Sequence, residues 1–206
     1  IQKVIKIRNA YVMTNTKVRE GVILIPDFSG FTEFVFNTKI YMGENIIKQL
    51  LQSLIDMNNR YFYISEIEGD AILFYKYNKK PSFKDIVEVV LRMNAAFEQK
   101  LLELNLLLNT QIKLSLKFII HHGKFSRYNI KLFRKLYGKP VVEAHKLLKN
   151  EYAEQPSYIL FSNSFLEVAK NNNYVISDKA VSIDGIGKIY YLKSKLQKFN
   201  NEKMKI

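Results

Sequence analysis

The spacing of apolar residues divides this chain into short strands and amphipathic helices. Val22-Ile-Leu-Ile25 is an aliphatic run that stops at Pro26-Asp27 and predicts a buried strand over 21–27. Phe28, Phe31, Phe34, Val35 and Phe36 predict a short helix within 28–41 with an aromatic inner face. Ile46, Ile47, Leu50, Leu51, Leu54 and Ile55 recur at helical spacing and predict a helix over 44–58. Residues 60–68 and 70–76 read as two strands joined by a tight hairpin at Gly69-Asp70. A long helix over 82–108 follows, with Ser82 as its cap, Asp85 in its first turn and Ile86, Val89, Val90, Met93, Phe97, Leu101 and Leu104 on one face. Residues 112–121 alternate and then become wholly apolar, which predicts a central strand, and Gly123 predicts a turn into a partner strand at 124–129. A helix over 139–149, a strand over 157–161, a helix over 163–171 and a closing hairpin over 180–193 around Gly185-Ile-Gly187 complete the pattern. Ahead of all these, Ile5, Ile7 and Tyr11 predict a short strand.

The order is βαββαβ followed by αβαβ, which implies an α+β fold: a ferredoxin-like core with additional C-terminal elements. No repeat or linker divides it. Residues 1–20 read as an N-terminal extension, 21–193 as one domain and 194–206 as a basic tail.

Composition narrows the function classes. The chain has 206 residues and no cysteine, which excludes disulfides and thiolate metal sites and points to a reducing, cytoplasmic setting. No run of about 18 apolar residues suggests a membrane span, and no signal-peptide pattern opens the sequence. His121, His122 and His145 are the only histidines, too few for a convincing zinc site. The net charge of +13 would draw in anions. Lysine is interspersed throughout, however, and no basic face at helical or strand spacing appears, so nucleic-acid binding is the weakest reading.

The chemistry concentrates in Asp27-Phe-Ser-Gly-Phe-Thr32 and Glu66-Ile-Glu-Gly-Asp70. A carboxylate at the mouth of a buried strand, followed by backbone N–H groups, can hold a metal ion and polyphosphate oxygens together. Two aspartates at two strand ends are the minimum for a pair of magnesium ions. Each also has a structural reading: Asp27 as a helix N-cap, Asp70 as a hairpin-turn residue.

Asp27-Phe-Ser-Gly-Phe-Thr32, Glu68-Gly-Asp-Ala71 and Ile120-His-His-Gly123 together resemble the motifs of the class III nucleotidyl cyclases, adenylate and guanylate. The likeness runs with gaps from about Gly21 to Lys193, towards a divergent bacterial branch of that superfamily. It implies formation of a 3′,5′-cyclic nucleotide and pyrophosphate from GTP or ATP, with two Mg²⁺ or Mn²⁺ ions per site at a homodimer interface. On that resemblance Asp27, Asp70 and the Phe28 carbonyl would hold metal, and Ser29, Gly30, Phe31 and Thr32 would meet the triphosphate. Glu66 takes a base-reading position and leans towards guanine, since a carboxylate accepts from N1–H and the 2-amino group; an exposed strand carboxylate is the alternative. Phe31, Phe34 and Phe36 are candidates for the dimer interface or for core packing.

The remaining positions depart from the family pattern. Lys135 stands where a second base-reading residue, aspartate or cysteine, is expected. Val142 replaces a transition-state asparagine. Lys146 replaces an arginine, keeping the charge but losing the planar fork. Ile186 replaces a phosphate-binding lysine, for which Lys188 is the nearby substitute. Loss of one preorganised electrostatic donor costs about 10²–10³ in rate. The sequence therefore supports a divergent cyclase, a nucleotide-binding module in signalling that no longer turns over, or an enzyme with altered chemistry.

Overall fold

The computed structural model describes residues 4–7, 10–13, 17–149, 156–169, 181–183 and 185–192. The tail over 194–206 lies outside these. Two short strands, β1 (Val4–Ile7) and β2 (Ala10–Met13), form a separate antiparallel ribbon where the sequence pattern predicts one strand. The remaining elements are β3 (Arg19–Ser29), α1 (Phe31–Asn37), α2 (Ile40–Asn58), β4 (Tyr63–Glu68), β5 (Ala71–Lys76) and α3 (Phe83–Leu108). They continue with β6 (Ser115–Ile130), β7 (Phe133–Tyr137), α4 (Lys139–Leu148), β8 (Tyr158–Ser162), α5 (Asn163–Ala169), β9 (Val181–Ile183) and β10 (Gly187–Leu192).

The strands make one sheet in the order β4-β5-β3-β6-β8-β10-β9, with β7 paired to the outer half of β6. Every pairing is antiparallel except β6 with β8. Elements β3 to β6 reproduce the expected βαββαβ core, with β3 held between β5 and β6.

The unbroken aliphatic run in β3 has a simple cause: both faces of the strand are covered. Val22 and Leu24 point to the face packed by α2, α3 and α5, where they join Leu50, Leu54, Val90, Phe97 and Phe165. Ile23 and Ile25 point to the opposite face, where α4 contributes Ala144 and Leu147. The long helix α3 starts as its sequence dictates, with the Ser82 hydroxyl accepting the Asp85 N–H at 3.2 Å.

Two local expectations are corrected. Gly123 is not a turn: β6 runs straight through it, and the hairpin partner is β7, reached through Lys131-Leu132. The glycine is needed for packing, because a Cβ there would meet Cγ of Pro140, at the start of α4, at 2.4 Å. The aromatic inner face of α1 is also not found. None of its residues is buried; Phe28 belongs to β3, Phe31 and Phe34 pack partly on the core, and Phe36 is 85% exposed. Seven residues make too short a helix to bury a full stripe.

Candidate functional site

Asp27 lies near the end of β3, opposite Ala71 on β5 and Lys117 on β6. Asp70 sits with Gly69 in the turn between β4 and β5, against which the Phe31 ring packs. The sheet register thus brings the two carboxylates together. Burial, with the Asp27 charge beside it, pushes the Asp70 pKa up to about 6. Its own backbone N–H and that of Phe28 donate to the Asp70 carboxylate and, with nearby Lys117, pull partly the other way. The helix-cap reading of Asp27 fails, because the residue capping α1 is Gly30. The turn reading of Asp70 holds, and the residue faces Asp27 as well.

Lys117 completes the cluster. Its Nζ lies 2.7 Å from Asp27 Oδ2 and 3.4 Å from the Leu148 carbonyl, and both partners of the ion pair are mostly buried. Sequence reading missed it. The signal was there: a lone lysine inside the apolar run Leu116-Lys-Phe-Ile-Ile120 has to find a counter-charge.

The chain after Asp27 turns tightly. Gly30 adopts φ 89°, and a Cβ on it would meet the Lys113 carbonyl at 2.6 Å, so only glycine fits. Its carbonyl accepts the Phe34 N–H at 3.0 Å, and no side chain caps α1, which leaves the Phe31 and Thr32 amides at the open end of the helix. Ser29 is anchored elsewhere, its hydroxyl donating to the Pro156 carbonyl at 2.8 Å.

Glu66 and Lys135 meet directly. Lys135, on β7, donates to Glu66 Oε2 on β4, and this contact raises the lysine pKa. A bulge in the β4–β5 ladder between Ile64 and Glu66 re-aims the Glu66 side chain. The intervening Ser65 has a buried hydroxyl with no partner among the described residues. Glu66 lines a cavity of about 150 Å³ with Ile25, Asp27, Glu68, Leu73 and His145. His145, on α4, was not singled out by sequence. A larger cavity of about 480 Å³ opens beyond Gly30, beside Phe34, Met42 and Ile112, and contains neither aspartate.

Other expected residues are not gathered here within one chain. Val142 and Lys146 are exposed on α4. Lys188 is exposed on β10, which β6 and β8 separate from β3. The His121 and His122 side chains fill buried strand positions. His121 Nδ1 lies 2.8 Å from Ser162 Oγ and its Nε2 3.2 Å from Glu143, while burial pushes its pKa down.

Among the described residues no three His, Cys, Asp or Glu side chains converge as a closed metal site. Two carboxylates, one of them reluctant to ionise beside the other, nevertheless fit the sparse protein ligand set of a magnesium ion that shares substrate phosphates.

This architecture is that of the class III nucleotidyl cyclase catalytic domains. The adenylyl cyclase CyaB from P. aeruginosa superposes with a TM-score of 0.67 at 17% identity, covering 88% of this chain and 97% of that one. The guanylyl cyclase Cya2 gives 0.69 at 16% identity, covering 86% and 93%. The guanylate cyclase domain of RhGC from Catenaria anguillulae, in complex with GTP, gives 0.66 at 17% identity, covering 86% and 98%. A family profile described as protein of unknown function (DUF2652) matches residues 47–158, and the chain belongs to that family. A search of curated proteins gives no match.

Proposed function

We propose that this chain is a divergent class III nucleotidyl cyclase-like domain that forms a 3′,5′-cyclic nucleotide and pyrophosphate from a nucleoside triphosphate. The observation that carries the reading is the convergence of Asp27 and Asp70 at the open end of β3, beside the amides that begin α1. Asp27, Asp70 and the Phe28 carbonyl would hold Mg²⁺ or Mn²⁺, two ions per site. The metal, when bound, supplies Lewis-acid neutralisation of phosphate charge. Asp27 and Asp70 would hold the cations through their carboxylates, and Lys117, beside Asp27, would offer its ammonium to phosphate oxygens. Ser29 to Thr32 border the triphosphate. Lys146 and Lys188, exposed in their own chain, would act from a second copy in a homodimer. Incubation with each of the four triphosphates and Mn²⁺, followed by chromatography of products, tests this. Cyclic product that vanishes in Asp27→Ala and Asp70→Ala supports it; no product from any of the four removes it.

A second reading follows from Val142, which has no hydrogen-bonding group, and from Lys146, which lacks a guanidinium fork. In it the domain binds metal–triphosphate and signals by occupancy without turnover. Thermal stabilisation by Mn²⁺ and triphosphate in the absence of product would favour it.

A further inference from the structure

We infer that the end of the sheet opposite Asp27 is a docking surface for a bilayer that carries anionic lipids. This is independent of the proposed function. Five exposed cations gather there from separate stretches of the chain: Lys17 and Arg19 where β3 begins, Lys79 and Lys80 after β5, and Lys124 on β6. The sheet register brings them together. Arg19 pairs with Phe125 and Glu20 with Lys124 across β3 and β6, while Val22 pairs with Lys76 at the end of β5. The Asn78 carbonyl lies 3.2 Å from His122 Nε2, which ties the segment carrying Lys79 and Lys80 to β6. The Arg19 guanidinium sits 4.0 Å from the centre of the Tyr77 ring. Among the described residues no carboxylate pairs with Lys17, Arg19, Lys79 or Lys80. Glu20 lies within the group, 3.6 Å from Lys124 Nζ, and Asp85 follows in the first turn of α3.

Charge is thereby separated along the strands. The far end holds Asp27, Glu66, Glu68 and Asp70 against Lys117 and Lys135. A strand advances about 3.3 Å per residue, which sets Asp27 about 25 Å from Arg19 along β3. A negatively charged plane draws in the cationic end and repels the other, so the same field that binds the protein also orients it. The carboxylate cluster is then left facing solvent. The shape of the patch favours a bilayer over a nucleic acid. Strand ends and one connecting segment build it, and no helix or ribbon projects from it to enter a groove. The Tyr77 ring is stacked on Phe125, with centroids 5.0 Å apart, and is covered by Arg19, so it offers no face to a base. The group forms no run along the chain, because its members come from three distant stretches.

Co-sedimentation of the full chain with vesicles tests the assignment, using phosphatidylcholine alone and phosphatidylcholine mixed with phosphatidylserine, with single-stranded RNA as a competitor. Binding is expected on the phosphatidylserine vesicles alone, and it should weaken as salt is raised. Lys79→Glu combined with Lys80→Glu should weaken it about 25-fold or more, each lost cation counting for about 5-fold. Lys48→Glu combined with Arg92→Glu changes the net charge by the same amount on the exposed surfaces of α2 and α3, and should leave binding nearly unchanged. Melting temperatures like that of the native protein would show both double variants folded. Equal binding of the native chain to the two vesicle types, or an equal loss in the two double variants, overturns the assignment. Tighter binding to RNA than to the anionic vesicles also overturns it and gives the patch to nucleic acid. None of these results bears on cyclic-nucleotide formation, so the proposed function stands or falls separately.

Discussion

Asp70 is the residue whose titration reports on the site. Its folded pKa of about 6 exceeds the ordinary 3.8, so the folded chain holds this proton more tightly than the unfolded chain does. The stability gained is fully present below the ordinary value and is lost as pH rises through about 6. Melting temperatures of the metal-free protein should therefore fall between about pH 4 and pH 7, and Asp70→Asn should flatten that part of the curve. Lys117→Met should steepen it, because the ammonium that tempers the two carboxylates is gone. On the proposed function, Mn²⁺ with triphosphate should stabilise more at pH 7.5 than at pH 5, since a metal ion would take the ionised Asp70 carboxylate. An unchanged pH slope in Asp70→Asn would refute the assignment of that proton.

Among the elements, β6 and α4 approach closely at Gly123. Gly123→Ala would drive a methyl into Pro140 and should destabilise by about 1–3 kcal/mol, measured by urea denaturation. Ser82→Ala removes the cap of α3 and should cost about 1 kcal/mol in the same assay. These two sites also mark what the sequence could and could not convey. The α3 helix was legible from Ser82 onwards because cap, first-turn acid and a long apolar stripe all agree. Gly123 was not, since a glycine in an extended run reads as a turn unless the partner is known, and its partner is a proline on a later helix. The ribbon of β1 and β2 and the bareness of α1 were hidden for a similar reason: local pattern does not say which layer covers an element.

At the scale of the whole molecule, the sheet has two unequal faces. Three helices cover one, while α4 covers only part of the other. Exposed apolar side chains collect on the β6–β7 hairpin, with Ile130, Leu132 and Phe133, and on neighbouring β4, with Tyr63. On the homodimer reading this is the face for a second copy, rather than Phe31 and Phe34, which the core already uses. The reading makes a quantitative prediction. Asp27→Ala and Glu66→Ala chains should each be inactive alone, yet an equal mixture should regain about a quarter of native cyclase activity, because each mixed dimer keeps one intact site. Sedimentation of the same samples would show whether dimers formed, and a mixture that dimerises without regaining activity would sink the shared-site arrangement. The aspartate pair was legible from two short motifs at strand ends. Lys117 and the Glu66–Lys135 contact were not, because both depend on strands brought side by side from distant parts of the chain.

The ammonium seated on Asp27 bears on how a cation would bind. On the proposed reading, a naked divalent ion reaching the pocket would find its first oxygen ligand already engaged, and dislodging the incumbent would gain little when no other anion is present to receive it. A cation escorted by triphosphate brings that receiver along. Titration with Mn²⁺ alone should thus give a shallow isotherm that sharpens once triphosphate is supplied, so that delivery of ion and nucleotide becomes a single, obligatorily joint event.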